Sequence, residues 1–468
     1  MTMQLCLAGF TLLTLAVSAA APAADKPNIL IILSDDQGYA DAGFQGSKEV
    51  PTPHLDTLAK SGVRCTSGYV THPFCSPTRA ALMTGRYQQR FGHEYNPVYD
   101  PLDKAEGLPL GERLLPQLMK GAGYRTGWIG KWHLGSSPDH TPWQRGFDES
   151  FGFIGGGHSY INWEPNERQY TLALTRNGRP TEVKEHLTTA FGNEAAAFIR
   201  KHKSEPWLLY LAFNAPHGPH EPTAERETQF AHVASLPRRK YLAQISLLDD
   251  AVGAVTTALE QSGQAARTLV FFFSDNGGPQ RVTLNTPLRG YKGQVYEGGV
   301  RVPFVVKWPG KLPAGGTYDS PVSSLDVFAT ALAQAGVSMP RDKTYDGVNL
   351  LPYLTGETKT PPHERLFWRM SGDKAAHAVR EGNWRLVRLS GQPAELYDLS
   401  TDIGETRNLA TEKPAVVARL VAALDAWDKE LIPPVFPGAS VKNEDWGPGG
   451  ANQKGRPTAK KKSDRVIP

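Results

Sequence analysis

The sequence predicts an α/β protein: a large, mainly parallel mixed sheet sandwiched between helices, followed by a smaller C-terminal α+β unit with an antiparallel sheet. Three observations carry this. Four apolar runs do not alternate with polar residues: Asn28–Leu33, Thr126–Gly130, Trp207–Phe213 and Thr268–Phe273. Runs of that kind mark strands buried on both faces, as parallel strands covered by helices are. Amphipathic segments lie between them, and the clearest places Tyr241, Ile245, Leu248, Val252, Val255 and Leu259 at alternating steps of four and three before Gly263. Each apolar run also ends in a polar cluster: Ser34-Asp35-Asp36, Lys131-Trp132-His133, Asn214-Ala215-Pro216-His217 and Ser274-Asp275-Asn276. Parallel α/β sheets bind ligands beyond the carboxyl ends of their strands, so four distant clusters are expected at one edge.

At 468 residues the chain is longer than one core usually supports. The expected divisions are a secretory signal over 1–24, a catalytic domain over 25–360, a small α+β domain over 361–437 and a basic tail over 438–468. The signal rests on the apolar run Phe10–Val17 and the small-residue pattern Ala21-Pro22-Ala23. The run is too short for a membrane span, and export to the periplasm or beyond follows. The small domain rests on strand-like Arg365–Trp368, Asn383–Val387 and Glu395–Leu399, then a helix over about 413–430. Between Ala451 and Pro468 six Lys and Arg face only Asp464, which exceeds the whole formal surplus of +4. The body is therefore not basic, and nucleic acid is excluded as a partner. With Cys6 in the signal, Cys65 and Cys75 make no disulfide framework.

The clusters suggest chemistry. Asp35, Asp36, Asp275 and Asn276 are hard oxygen donors, which suit Ca²⁺ ahead of Mg²⁺. Acidic residues after strands also start turns, but two acidic pairs meeting at one edge repel unless a cation joins them. Lys131, His133 and His217 stand on the other two strand ends. Lys292 lies in the glycine-rich segment Tyr291–Arg301. Cys75 opens the run Cys75–Arg86, in which Pro77 suits a first helical turn, Ser76 a cap and Gly85 a stop. A side chain at that place faces the N–H groups and positive end of the helix dipole.

The run Cys75-Ser76-Pro77-Thr78-Arg79 resembles the Cys-X-Pro-X-Arg signature of the type I sulfatases, and the other clusters match that family's pattern in chain order over roughly Lys26–Leu354. The resemblance implies an alkaline-phosphatase-like fold and oxidation of Cys75 to formylglycine by a formylglycine-generating or anaerobic sulfatase-maturating enzyme. It implies a divalent cation held by Asp35, Asp36, Asp275, Asn276 and residue 75. Arg79, Lys131, His133, His217 and Lys292 match the residues around the nucleophile. Lys131, His217, Lys292 and His158, with Ser159 in reserve, match those that bind sulfate. A hydroxyl of the hydrated aldehyde would attack sulfur, His217 would protonate the leaving alcohol, and His133 would take the second hydroxyl's proton to release sulfate. The expected substrate is a sulfated carbohydrate. Trp143, Tyr160 and Trp163 are candidates for stacking on sugars, and Arg369, Lys374 and His377 for reaching them. The alternatives are small aryl sulfates, phosphomonoesters or phosphonate monoesters, and a non-catalytic glycan-binding protein whose Cys75 stays a thiol.

Overall fold

The structure is a computed structural model and describes residues 26–161, 172–372 and 375–437. Trp163, Lys374, the expected signal segment over 1–24 and the expected basic tail over 438–468 lie outside the described residues.

Ten strands form the main sheet. Its centre is parallel: Thr268–Ser274, Asn28–Asp35, Trp207–Pro216, Arg125–Lys131 and Glu149–Phe153 lie side by side in that order. Phe304–Lys307 joins the first of these antiparallel and leads outward to Val63–Cys65 and Gly316–Tyr318. The short strands Thr175–Arg176 and Arg179–Pro180 close the other edge. The apolar runs are continuous because each strand serves two cores. Ile29, Ile31 and Leu33 pack on one face with Leu208 and Tyr210, while Leu30 and Ile32 pack on the other with Leu209 and Leu211. The helices Leu187–Lys201 and Leu236–Gln261 cover the second face. The latter is long and apolar enough to cross a membrane, yet most of it is buried against the protein. The helices Cys75–Thr84, Leu115–Gly121 and Leu325–Gln334 cover the first face.

Four antiparallel strands, Arg365–Met370, Ala376–Glu381, Trp384–Leu389 and Glu395–Asp398, form the C-terminal sheet. Ala376–Glu381 has no counterpart among the predicted strands, because its alternating Ala-His-Ala-Val-Arg-Glu offers no apolar run. Here alternation does mark the faces: Trp368, Ala378 and Val387 join the large core, while Val379, Leu386 and Leu396 meet Leu420 and Leu424 of the helix Pro414–Asp428.

One local expectation is corrected. The N-cap of the Cys75 helix is Phe74, with no side-chain cap, so Ser76 is already inside the first turn. Its hydroxyl instead donates to His133 O at 2.5 Å, and its N–H is taken by Asn96 Oδ1 at 3.0 Å. Gly85 ends the helix as expected, at φ +67°, a left-handed conformation that glycine adopts without cost.

Candidate active site

The polar clusters all stand at the carboxyl end of the parallel strands, and the N-terminus of the Cys75 helix points into them. Asp35 and Asp36 close Asn28–Asp35, Lys131 closes Arg125–Lys131, His217 follows Trp207–Pro216, and Asp275 and Asn276 follow Thr268–Ser274. Gly130 makes the approach to Lys131: a Cβ there would lie 1.9 Å from Ala212 O on the adjacent strand. Among the described residues four non-glycine residues have positive φ, and Asp36 (63°) and His133 (60°) are two of them. Backbone in that region is held by its surroundings and concentrates at functional sites.

Around Cys75 the contacts are dense. Its Sγ lies 3.5 Å from Asp35 Oδ1 and 3.5 Å from Lys292 Nζ. Lys131 Nζ donates to Asp35 Oδ2 at 2.6 Å, and Lys292 Nζ to Asp36 Oδ2 at 3.0 Å. Arg79 reaches Asp275 Oδ2 with two N–H groups, at 3.0 and 2.8 Å, and lies 3.6 Å from Asp35. Three carboxylates thus face three fixed cations, all buried but Lys292, which is half-buried. Burial pushes the Cys75 thiol well up, and Asp275 and Asp35 add to this more than Lys131 and Lys292 relieve it.

His217 turns Nδ1 to Gly218 O at 2.6 Å and Nε2 toward Asp36 Oδ2 at 3.7 Å. Burial pushes its proton affinity down to about 3, against the pull of Asp36 and with Lys292 and Lys131 assisting. Neither ring nitrogen of buried His133 has a hydrogen-bond partner. Burial lowers its proton affinity strongly, with Lys131 and Arg79 adding to the effect. A buried polar ring left open next to a nucleophile position calls for a missing partner.

The ligand atoms of Asp35, Asp36, Cys75 and His217 lie within 4.8 Å of one another, close enough to hold a cation. Asn276 fits the same place: it donates Nδ2–H to Asp36 Oδ1 at 2.7 Å, and its own Oδ1 is buried without a partner. These oxygens suit a hard divalent cation, and an oxygen in place of the Cys75 sulfur would complete a set of one character. Asp275, expected among the cation's ligands, stands in the same cluster with Asp35 and Asp36 as its charged neighbours. Arg79 occupies its Oδ2, and the Asp36 N–H donates to its Oδ1 at 3.2 Å. Burial and the neighbouring Asp35 raise its proton affinity despite Arg79.

His158 is not brought to the site's contacts. Its ring nitrogens face backbone carbonyls, Ser159 O at 2.6 Å and Leu172 O at 2.8 Å, and the ring is buried. Ser159 donates its hydroxyl to Glu221 at 2.6 Å. Tyr160 is fully buried and supports the His217 turn, donating to Asn214 O at 2.6 Å and His217 O at 2.8 Å, so it is no sugar platform. Arg369 is committed to Glu94 and Asp428. Asn96 went unnoticed in the sequence. It takes the Ser76 N–H beside position 75, and an asparagine in a loop twenty residues away carries no local signal.

A profile of the sulfatase family matches residues 27–337, and that of the C-terminal part of N-sulphoglucosamine sulphohydrolase matches residues 291–430. The chain belongs to the sulfatase family and is a sulfuric ester hydrolase. It is 37% identical to the N-acetylgalactosamine-6-sulfatase of Sus scrofa over 71% of this chain and 66% of that one. It is 31% identical to the steryl-sulfatase of Mus musculus, over 87% of this chain and 82% of that one. Among solved structures, Ps i-CgsB in complex with k-i-k-neocarrahexaose superposes with a TM-score of 0.84 at 35% identity, over 87% of this chain and 94% of that one.

Proposed function

We propose that the protein hydrolyses sulfate esters of a carbohydrate, with residue 75 acting as formylglycine after oxidation of Cys75 by a maturation enzyme. The observation that carries the nucleophile is the placement of residue 75 in the first turn of its helix, with Sγ 3.5 Å from both Asp35 Oδ1 and Lys292 Nζ. Carbohydrate is favoured over small aryl sulfates because the solved relative at 35% identity holds a carrageenan hexasaccharide.

Asp35, Asp36, Asp275, Asn276 and residue 75 would hold a divalent cation, with His217 beside it. When bound, that cation lowers the charge on sulfuryl oxygens and favours the ionised form of a hydroxyl at position 75. The chain's own residues do the rest. Lys131 and Lys292 are fixed by Asp35 and Asp36 at the positions where sulfuryl oxygens gather charge, a preorganised arrangement that needs no reorientation during reaction. Arg79 holds Asp275 and keeps the acidic side of the site in place. His217, anchored through Nδ1, presents Nε2 to the leaving oxygen. A bound sulfate ester is negative, so it raises the proton affinity of this histidine from its low resting value. His133, whose carbonyl accepts the Ser76 hydroxyl next to position 75 and whose ring nitrogens have no partner, would be the base for the later proton. The apolar run Phe10–Val17 and the small-residue pattern Ala21-Pro22-Ala23 support export to the periplasm or beyond, where such polymers are met.

The test is turnover of matched esters. Release of sulfate from sulfated oligosaccharides should exceed release from a nitrophenyl sulfate in kcat/KM. Phosphate or phosphonate monoesters turned over faster than sulfate esters would overturn the reading, as would glycan binding by fully matured protein without sulfate release.

A further inference from the structure

Lys292 stands on a loop that the C-terminal sheet holds. On the inner side, Lys292 N donates to Gly278 O at 3.1 Å and Gly293 N to Pro73 O at 2.9 Å, which ties the loop to the segments carrying Asn276 and Cys75. The loop closes on itself through Gly298 N to Arg289 O at 2.7 Å. It has no room to deform there, since a Cβ on Gly299 would lie 1.9 Å from Gln294 O. Its only regular element is the four-residue helix Glu297–Val300, so its position depends on what grips it from outside.

That grip comes from Arg385, Glu405 and Tyr397. Arg385 is fully buried with its guanidinium 4.2 Å from the Trp368 ring centre. It donates Nη2–H to Val295 O, and its other nitrogens lie 3.2 Å from Glu297 Oε1 and 3.4 Å from Glu405 Oε1. Glu405 accepts the Glu297 N–H at 2.8 Å. Before Lys292, Arg289 stacks on Tyr296 at 3.9 Å and donates to Tyr397 Oη at 2.7 Å and Glu405 O at 3.1 Å. Both limbs of the loop are therefore fastened to the C-terminal unit within a few residues of Lys292.

We infer that Arg385, and Arg289 through Tyr397, are positioning residues that set Lys292 against Asp36 and position 75, making the C-terminal sheet part of the sulfate-binding apparatus. This rests on Lys292 being a sulfate-binding group. The probe is inorganic sulfate, titrated by calorimetry into full-length Cys75→Ser protein in saturating Ca²⁺, so that maturation plays no part. Lys292→Ala and Arg385→Gln should each weaken sulfate binding by about tenfold, the scale of a charge-assisted hydrogen bond. The double variant should be no weaker than Lys292→Ala alone, because one residue acts through the other. Losses that multiply, or sulfate affinity unchanged in Arg385→Gln, would overturn the inference. Arg289→Gln, whose side chain is 40% exposed, repeats the test with little risk to folding. Failure of the starting protein to bind sulfate at all would instead overturn the sulfate-site reading beneath it.

Discussion

Two buried clusters of charge lie in this molecule, one at the carboxyl end of the main sheet and one where the C-terminal sheet meets it. The first sets Asp35, Asp36 and Asp275 against Arg79, Lys131 and Lys292. The second sets Glu297 and Glu405 against Arg301 and Arg385. Both have polar atoms without a formal hydrogen bond, but of different kinds. In the second, the open atoms of Arg385, Glu297 and Glu405 face one another at 3.2 and 3.4 Å. In the first, both nitrogens of His133 and the Oδ1 of Asn276 have no such answer. Charge that is balanced within itself holds a fold together; polar groups left open mark where something else must enter.

The largest expected effect is at the open cluster. Cys75→Ala should lower sulfate-ester turnover by roughly 10⁴-fold or more while the thermal unfolding midpoint stays put, because groups acting as a unit fail together. Unchanged turnover would end the distinction between the clusters. Chelation comes next: removing divalent metal should cost about 10²-fold or more in kcat, recovered by Ca²⁺, and full activity in chelator would remove the cation from the account. His217→Ala should cost roughly 10²–10⁴-fold on an alkyl or sugar sulfate and far less on a nitrophenyl sulfate, whose leaving group needs no proton. Equal losses on both substrates would deny His217 the role of acid.

The smallest effect belongs to the balanced cluster. Burial, with Glu297 nearby, pushes the Glu405 carboxyl from 4.5 up to about 8, in spite of Arg385. The folded state then holds a proton that the unfolded chain releases. Its stabilising contribution is full below pH 4.5 and is lost as pH rises through about 8. Across that window the unfolding midpoint should fall, and Glu405→Gln should flatten the slope by about 1–3 °C without altering it below pH 4.5. A variant with the same slope as the parent would show that the proton sits elsewhere.

Much of the first cluster was legible in the sequence, because Asp35, Asp36, Lys131 and Asp275 each follow an apolar run and the topology of parallel sheets dictates where such ends meet. The second was not. Glu297, Arg385 and Glu405 come from three separate segments, and no periodicity or spacing links these segments, so only tertiary packing brings them together. The same limit explains His158 and Tyr160. Their residue types suit a site, but the course of the loop turns one to backbone carbonyls and the other to the support of His217. Ser76 shows the reverse case: its local cap preference yields to bonds with His133 and Asn96 that lie far off in sequence.

The claim on which the rest depends is that the reactive group at position 75 is made from the cysteine. Mass spectrometry of the peptide spanning Cys75, from active protein purified from its native host, tests it directly. The account predicts the aldehyde or its hydrate at that position, in proportion to specific activity. Fully active protein carrying only the unmodified thiol would contradict it.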